Sequence, residues 1–392
     1  MHFELTVPSR IVFGRGTIDR LGRYAAEFGR KALFVRDEGL PEKSGTIEAV
    51  RGLLAAERLE VEEFKVGGEP TVEAVDDFMR RARSFEPEVV LGLGGGSAID
   101  TAKALAGLLG NGGEALDYLE VIGCGRPFSR PAIPVIAVPT TAGTGAEATR
   151  NAVLVSQARK VKASLRGAAL IPRLALVDPA LTDSLPPKVT ASTGLDALTQ
   201  CLESYLALKA QPVTDALALE GLNRAARSLV RAYRGGDAPE ARDDMAVAAL
   251  LSGICLTNAG LGAVHGLAAA LGGKFPVPHG AACGRLLPYV FSENVRALAA
   301  EKTGQPVLVK CLRIAEIFLP EKRGNENERL GGLIDRLFEL VEEMKIPRLS
   351  SYGVVEADLP ALAEAASRSG SIRQNPVVLP ASTLIDILRA AL

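Results

Sequence analysis

Hydrophobic and polar positions follow two regimes along this chain, and the change falls at Ser184-Leu185-Pro186-Pro187. Before it, short apolar runs at 31–37 (KALFVRD), 61–66, 88–94 (EVVLGLG), 134–139 (PVIAVP) and 174–178 (LALVD) read as strands buried on both faces. Helix-patterned stretches near 44–58, 71–84 and 98–109 separate the earlier runs, which predicts a parallel sheet covered by helices. Residues 5–13 add an early strand or hairpin, ended by Gly14-Arg15-Gly16. Beyond the paired prolines strand signals nearly vanish. Alanine and leucine recur there at helical spacing near 188–209, 211–234, 239–258, 259–272, 297–318, 326–345, 356–368 and 380–391. Breaks at Arg234-Gly235-Gly236-Asp237 and at 321–327 interrupt them. The pattern predicts an α/β domain over 1–185 and an all-helical domain over 186–392.

Length agrees with that division, since 392 residues exceed one core of ordinary size. With 47% hydrophobic and 23% charged residues the composition is globular. A net charge of −1 recommends neither nucleic acid nor an anionic membrane as partner. No run approaches the ~18 apolar residues of a membrane span, and Met1-His2-Phe3-Glu4-Leu5 has no secretory character. Five cysteines, an odd number without a CxxC pair, suit reduced thiols in a cytoplasm. Cys283 lies near His279, but the burial habit of free cysteine favours a packed thiol over a ligand.

The chemistry begins at Gly92-Leu93-Gly94-Gly95-Gly96-Ser97, which follows a strand and opens a helix. Glycines let a backbone approach phosphate oxygens, and a helix N-terminus favours negative charge. A tight strand–helix turn is the plainer alternative. An ordinary dinucleotide fingerprint puts the glycines after the first strand and an acid about 20 residues later. Here the order is reversed, because Asp37 ends an early strand and the glycines come well after it. Asp37 by itself reads equally as a solvated loop acid. Beside the glycine loop it is suited to the ribose 2′-OH and repels a 2′-phosphate, which favours NAD over NADP. After the strand PVIAVP comes Thr140-Thr141-Ala142-Gly143-Thr144-Gly145-Ala146-Glu147-Ala148-Thr149, whose hydroxyls and amides suit pyrophosphate and ribose, a plain loop being the lesser alternative.

The chain has only three histidines, and two of them, His265 and His279, stand fourteen residues apart beside glycines. Asp196 lies upstream in helical sequence. Imidazole and carboxylate together suit a borderline divalent ion with a position left open for substrate.

The segments FGRG, GLGGGSAIDTAK, PTTAGTGAEAT, LVDPALT, TGLDALT, AGLGAVHG and PHG, taken together, resemble the iron-containing (group III) alcohol dehydrogenases from about Pro8 to the last helices. The resemblance implies a dehydroquinate synthase-like architecture: an N-terminal α/β nucleotide-binding domain, an all-α C-terminal domain and an active site in the cleft between. It also implies NAD(P)-linked interconversion of a small alcohol and its aldehyde or ketone. Carried over by position, Asp37 is the ribose acid, and Gly95, Gly96 and Ser97 belong to the pyrophosphate loop. Thr140, Thr141, Thr149, Lys162 and Leu181 fall along the cofactor, and Asp196, His265 and His279 at three of four metal positions. The fourth is Gln200, four residues after Asp196, where the family commonly has histidine. Ala269, four after His265, replaces another common histidine. An amide oxygen is a weaker ligand than imidazole, so iron, zinc, another divalent ion or no metal all stay open. Without a metal, His265 or His279 serves as hydrogen-bond or proton donor to the carbonyl. Two other readings remain: a metal-independent, maleylacetate reductase-like enzyme using Arg150 or Arg166 on an oxo-acid, and a non-catalytic nucleotide binder. Closure of a carbocycle needs several basic phosphate contacts near the metal, which are not found. Asn151, Phe275 and Pro278 are candidate substrate liners. The resemblance further implies a homodimer or higher homo-oligomer, paired through the early strand.

Overall fold

All five apolar runs of the first half form strands in the computed structural model, which describes residues 2–39, 45–235, 238–301 and 303–392. They are β2 (Lys31–Asp37), β3 (Glu60–Val66), β4 (Val89–Gly94), β5 (Val135–Pro139) and β8 (Leu174–Val177). With β1 (Arg10–Phe13) they make a six-stranded parallel sheet in the order β1-β8-β5-β4-β2-β3. The helices between them are α1 (Leu21–Ala26), α2 (Thr46–Ala56), α3 (Val72–Phe85), α4 (Gly96–Asn111) and the short α5 (Ala115–Tyr118). The first position of the predicted 44–58 helix lies outside the described residues.

Alternation along each strand sends side chains to two separate cores. Leu33, Val35 and Val90 pack with α3 and α4, while Ala32, Phe34 and Leu91 pack with α1 and α2. Both faces are covered, so the strands are apolar throughout, as the runs predicted. The crossover from β2 leads to β3 on one side, and that from β4 leads to β5 on the other. Adjacent β2 and β4 therefore flank a topological switch point, where open α/β sheets leave a crevice at the strands' carboxyl ends.

Sequence reading missed the antiparallel hairpin of β6 (Asn151–Ser156) and β7 (Val161–Arg166). Its turn, Gln157-Ala158-Arg159-Lys160, holds no glycine, proline or asparagine, and Lys160 takes φ 52° instead. The usual turn signal was absent.

Contacts divide the chain into Thr6–Ser184 and a second unit of Leu185–Leu392 with Met1–Leu5. The second is helical: α6 (Pro187–Leu206), α7 (Pro212–Arg234), α8 (Pro239–Ala259), α9 (Ala263–Lys274), α10 (His279–Ala300), α11 (Gln305–Phe318), α12 (Glu326–Glu343), α13 (Leu359–Ser367) and α14 (Ala381–Ala390). Several starts are written locally. Proline occupies the first turn of α6, α7 and α8, and Asn325 with Glu328 forms a capping box on α12. Gly236 and Asp237 of the predicted break lie outside the described residues.

One expectation needs correcting. The 297–318 segment is not one helix but the end of α10 and the whole of α11. The rest of the 22-residue α10 matches no predicted helix, and it begins at His279. Pro288 stands inside this helix, and glycines at 280 and 284 punctuate its start. Among the described residues no single helix is long and apolar enough to cross a membrane.

Candidate metal centre and nucleotide loop

In the helical unit, three helices bring together residues up to 87 positions apart. Asp196 lies mid-way along α6, His265 is the third residue of α9, and His279 is the first of α10. The close approach of α10 to α6 depends on two glycines one turn apart. A Cβ on Gly280 would meet Ser192 O at 2.1 Å, and one on Gly284 would meet Leu195 Cδ1 at 2.6 Å. With no side chains there, the residues one position before each, His279 and Cys283, are carried up to Asp196.

The polar atoms converge. Asp196 Oδ1 lies 3.2 Å from His265 Nε2 and 3.9 Å from His279 Nε2. Cys283 Sγ lies 3.6 Å from His265 Nε2 and 3.8 Å from His279 Nε2. One ligand atom from each of the four falls within 4.8 Å of every other. Asp196, His265 and Cys283 are buried, whereas the His279 side chain is 31% exposed and forms the accessible side.

Charge holds the cluster together against its own desolvation. Burial pushes the Asp196 carboxyl up, but His279 and His265 outweigh it and hold it below the ordinary value. Burial opposes a proton on His265, yet Cys283 and the Asp196 hydrogen bond raise it well above the usual imidazole range. Loss of water against Cys283 and Asp196 is the same balance at His279, which is also raised. Burial alone would raise the Cys283 thiol, and the two imidazoles lower it instead. Cys283 is buried, as its sequence predicted, and its Sγ faces two imidazoles.

Glu203 escaped the sequence reading. It stands seven residues after Asp196, on the same face of α6, and that spacing was the available signal. Its Oε2 accepts His265 Nδ1–H at 2.6 Å, while Oε1 accepts the Val264 amide at 2.7 Å. One carboxylate thus satisfies an open amide at the start of α9 and leaves His265 Nε2 facing the cluster. Gln200 stands one turn after Asp196 as its spacing predicted. Its amide hydrogen-bonds the Asp196 carboxylate, and its Oε1 accepts from Ser252 Oγ at 3.4 Å. Ala269 sits one turn beyond His265 on α9, with Phe275 and the exposed Pro278 in the segment leading to α10.

In the other unit, the predicted loop residues gather at the switch point. Asp37 ends β2 and accepts the Gly39 amide at 2.8 Å. Gly94 ends β4 at φ +151°, and a Cβ there would lie 2.7 Å from Asp37 Cβ. The chain can turn into α4 at that point only with glycine. Gly95 precedes α4, while Gly96 and Ser97 form its first turn, where amides have no helical acceptor. The Thr140 amide donates to Gly94 O at 3.0 Å. Thr141 borders Gly95 and Thr144 borders Gly96. Asp37, residues 94–97, Thr140 and Thr141 therefore form one constellation.

Three other predicted cofactor residues have local duties. Thr149 Oγ1 accepts from Lys103 Nζ at 2.8 Å and donates to Ala146 O at 3.2 Å. Lys103 is fully buried on α4, also 2.8 Å from Asp100 Oδ1, and ties this helix to the segment before β6. Lys162, on β7, pairs with Glu69 at 2.8 Å. Leu181 packs half-buried against the core beneath α1 and α2. Arg166 pairs with Glu120 at 3.1 Å in solvent, and Arg150 and Asn151 lie at the start of β6.

The description "Iron-containing alcohol dehydrogenase" matches residues 8–179, and "Fe-containing alcohol dehydrogenase family, C-terminal" matches 190–392. Alcohol dehydrogenase 4 of Saccharomyces cerevisiae is 36% identical over 388 residues, covering 98% of this chain and 97% of the yeast protein. The crystal structure of a 1,3-propanediol oxidoreductase superposes with a TM-score of 0.92 at 33% identity, over all of both chains. A sulfoacetaldehyde reductase from Bifidobacterium kashiwanohense, solved with NAD+, gives 0.84 at 27% identity, over 100% of this chain and 99% of that one.

Proposed function

The chain belongs to the iron-containing alcohol dehydrogenase family, and we propose that it interconverts a small alcohol and its aldehyde or ketone with NAD. The observation that carries this reading is the convergence of Asp196, His265 and His279 around one partly accessible point. Their oxygen and nitrogen donors fit a divalent transition metal, iron or zinc. When bound, the ion supplies a Lewis acid for the substrate oxygen and NAD supplies or takes the hydride.

The residues of the chain do the holding and orienting. Asp196 provides the negative charge that two imidazoles alone would lack, and Gln200 steadies it through the amide. Glu203 holds a proton on His265 Nδ1, so Nε2 is the nitrogen that would bind the ion on giving up its own proton. His279, the partly exposed member, sets the side from which substrate arrives. In the α/β unit, the first-turn amides of α4 beside Gly95, Gly96 and Ser97 receive the pyrophosphate. Thr140 and Thr141 border that loop, and Asp37 takes the ribose hydroxyls in preference to a 2′-phosphate. Thr149 acts at one remove by seating Lys103, while Lys162 and Leu181 flank the cofactor. The same reading extends to a homo-oligomer through β1, an edge strand whose Ile11 and Phe13 are exposed.

NAD-linked turnover of short alcohols and their aldehydes, measured before and after chelation and again after a divalent ion is restored, tests the proposal. Turnover should fall on chelation, return with the ion, and be lost in His265→Ala. Full activity in chelator and in that variant would refute the metal-dependent reading.

A further inference from the structure

Four side chains meet at the centre, and the family pattern accounts for only three of them. We propose that Cys283 is the fourth ligand of this metal centre, its thiolate standing in for the imidazole that Gln200 replaces and selecting zinc over iron. The inference rests on the assignment of Asp196, His265 and His279 as the other three ligands.

Four of the six distances between ligand atoms lie near the edges of a tetrahedron. Zinc bonds of ~2.0–2.1 Å to nitrogen or oxygen and ~2.3 Å to sulfur set tetrahedral edges of about 3.3–3.6 Å between ligand atoms. The edges here are 3.2 and 3.9 Å from Asp196 to the two imidazoles, and 3.6 and 3.8 Å from Cys283 to the same two. Shifts of a few tenths of an ångström bring these four edges into that range, and the other two lie within 4.8 Å. Gln200, by contrast, spends its amide on Asp196 and its carbonyl oxygen on Ser252. The helical step explains the exchange. In the family pattern the second donor stands four residues after the aspartate; here it stands four residues after His279, on the same face of α10. Other buried thiols of the chain serve as a comparison. Cys201 and Cys255 make their contacts with backbone oxygens, Ala248 O at 3.8 Å and Thr214 O at 3.5 Å. Of the contacts made by these three, only those of Cys283 are with two imidazoles. Exchanging an imidazole for a thiolate softens the donor set, which favours zinc over the harder ferrous ion.

The test is titration of the metal-stripped full chain with cobalt(II), read by its absorption spectrum, alongside zinc and iron affinities by competition. The unaltered chain should bind one ion with a thiolate-to-cobalt charge-transfer band. Cys283→Ser and Cys283→Ala should lose that band, weaken zinc by more than the roughly 10–100-fold that an outer-shell partner is worth, and narrow the preference for zinc over iron. Stoichiometric binding by the unaltered chain without the band, or a band that survives in Cys283→Ala, overturns the thiolate ligand and leaves the histidine site standing. No binding at all, or binding unchanged in His265→Ala, overturns the metal assignment and this inference together. If neither Cys283 variant folds, X-ray absorption of the zinc-loaded unaltered chain decides. One sulfur in the shell supports the proposal, and a shell of nitrogen and oxygen alone overturns it.

Discussion

Replacing Glu203 by glutamine keeps its shape and removes one acceptor, which makes it a sharp probe of the centre. The carboxylate accepts the Val264 amide through one oxygen and His265 Nδ1–H through the other. A glutamine has a single acceptor oxygen. If that oxygen stays on Val264, the new NH2 faces His265 Nδ1, which then gives up its proton. The ring becomes the Nε2–H tautomer, whose blocked nitrogen points at Asp196. If the oxygen turns to His265 instead, two donors face each other at Val264. Either way a buried group loses its partner, at a cost of about 1–3 kcal/mol. That range converts to roughly 5–150-fold in metal affinity, which brackets the roughly 10–100-fold that such a partner is usually worth. Competition against a chromophoric chelator gives the affinity. Nitrogen-15 correlation spectra give the tautomer, and with three histidines in the chain the ring signals are few enough to assign. We expect zinc affinity to fall in that range with His265 moving away from the Nδ1–H form. An unchanged affinity would refute the argument, as would a weaker site with the tautomer unmoved, since that pattern belongs to general loosening.

Asp37→Gly should raise the NADP-to-NAD ratio of kcat/KM by at least tenfold, because a like-charge contact near 4 Å costs about 1–4 kcal/mol. Equal use of both cofactors by the unaltered chain would remove the basis for this assignment. Burial raises Glu147 from 4.5 to about 7, a difference worth roughly 3 kcal/mol. Below pH 4.5 both folded and unfolded chains hold that proton; between 4.5 and about 7 the unfolded chain ionises first, so the group's contribution falls as pH rises. Glu147→Gln should remove that slope in urea denaturation of the cofactor-free chain, and a gap between the two proteins that does not grow from pH 4.5 to 7 counts against the buried neutral acid. Sedimentation should show a dimer or larger species; a monomer at working concentration would end the proposed role of the β1 edge.

What the sequence determined by itself is what a few neighbouring residues can encode. The strand runs are continuous because both sheet faces are covered, so their apolar character needs no knowledge of register. The turn from β4 into α4 is legible because only glycine allows φ +151° beside Asp37. Gln200 falls beside Asp196 because residues four apart share a helix face. Tertiary structure decided the rest. Helix α10 escaped detection because Pro288 stands inside it and glycines punctuate its start. Without that helix, the step from His279 to Cys283 could not be seen as one turn, and the thiol read as packing. Nothing local joins Asp196 to His265, 69 residues apart. Only the packing of α10 on α6 at Gly280 and Gly284, together with the Glu203 hold on the start of α9, brings the four donors to one point. Spacing rules act over one or two turns of chain, whereas convergence is set by how closely separate helices can approach.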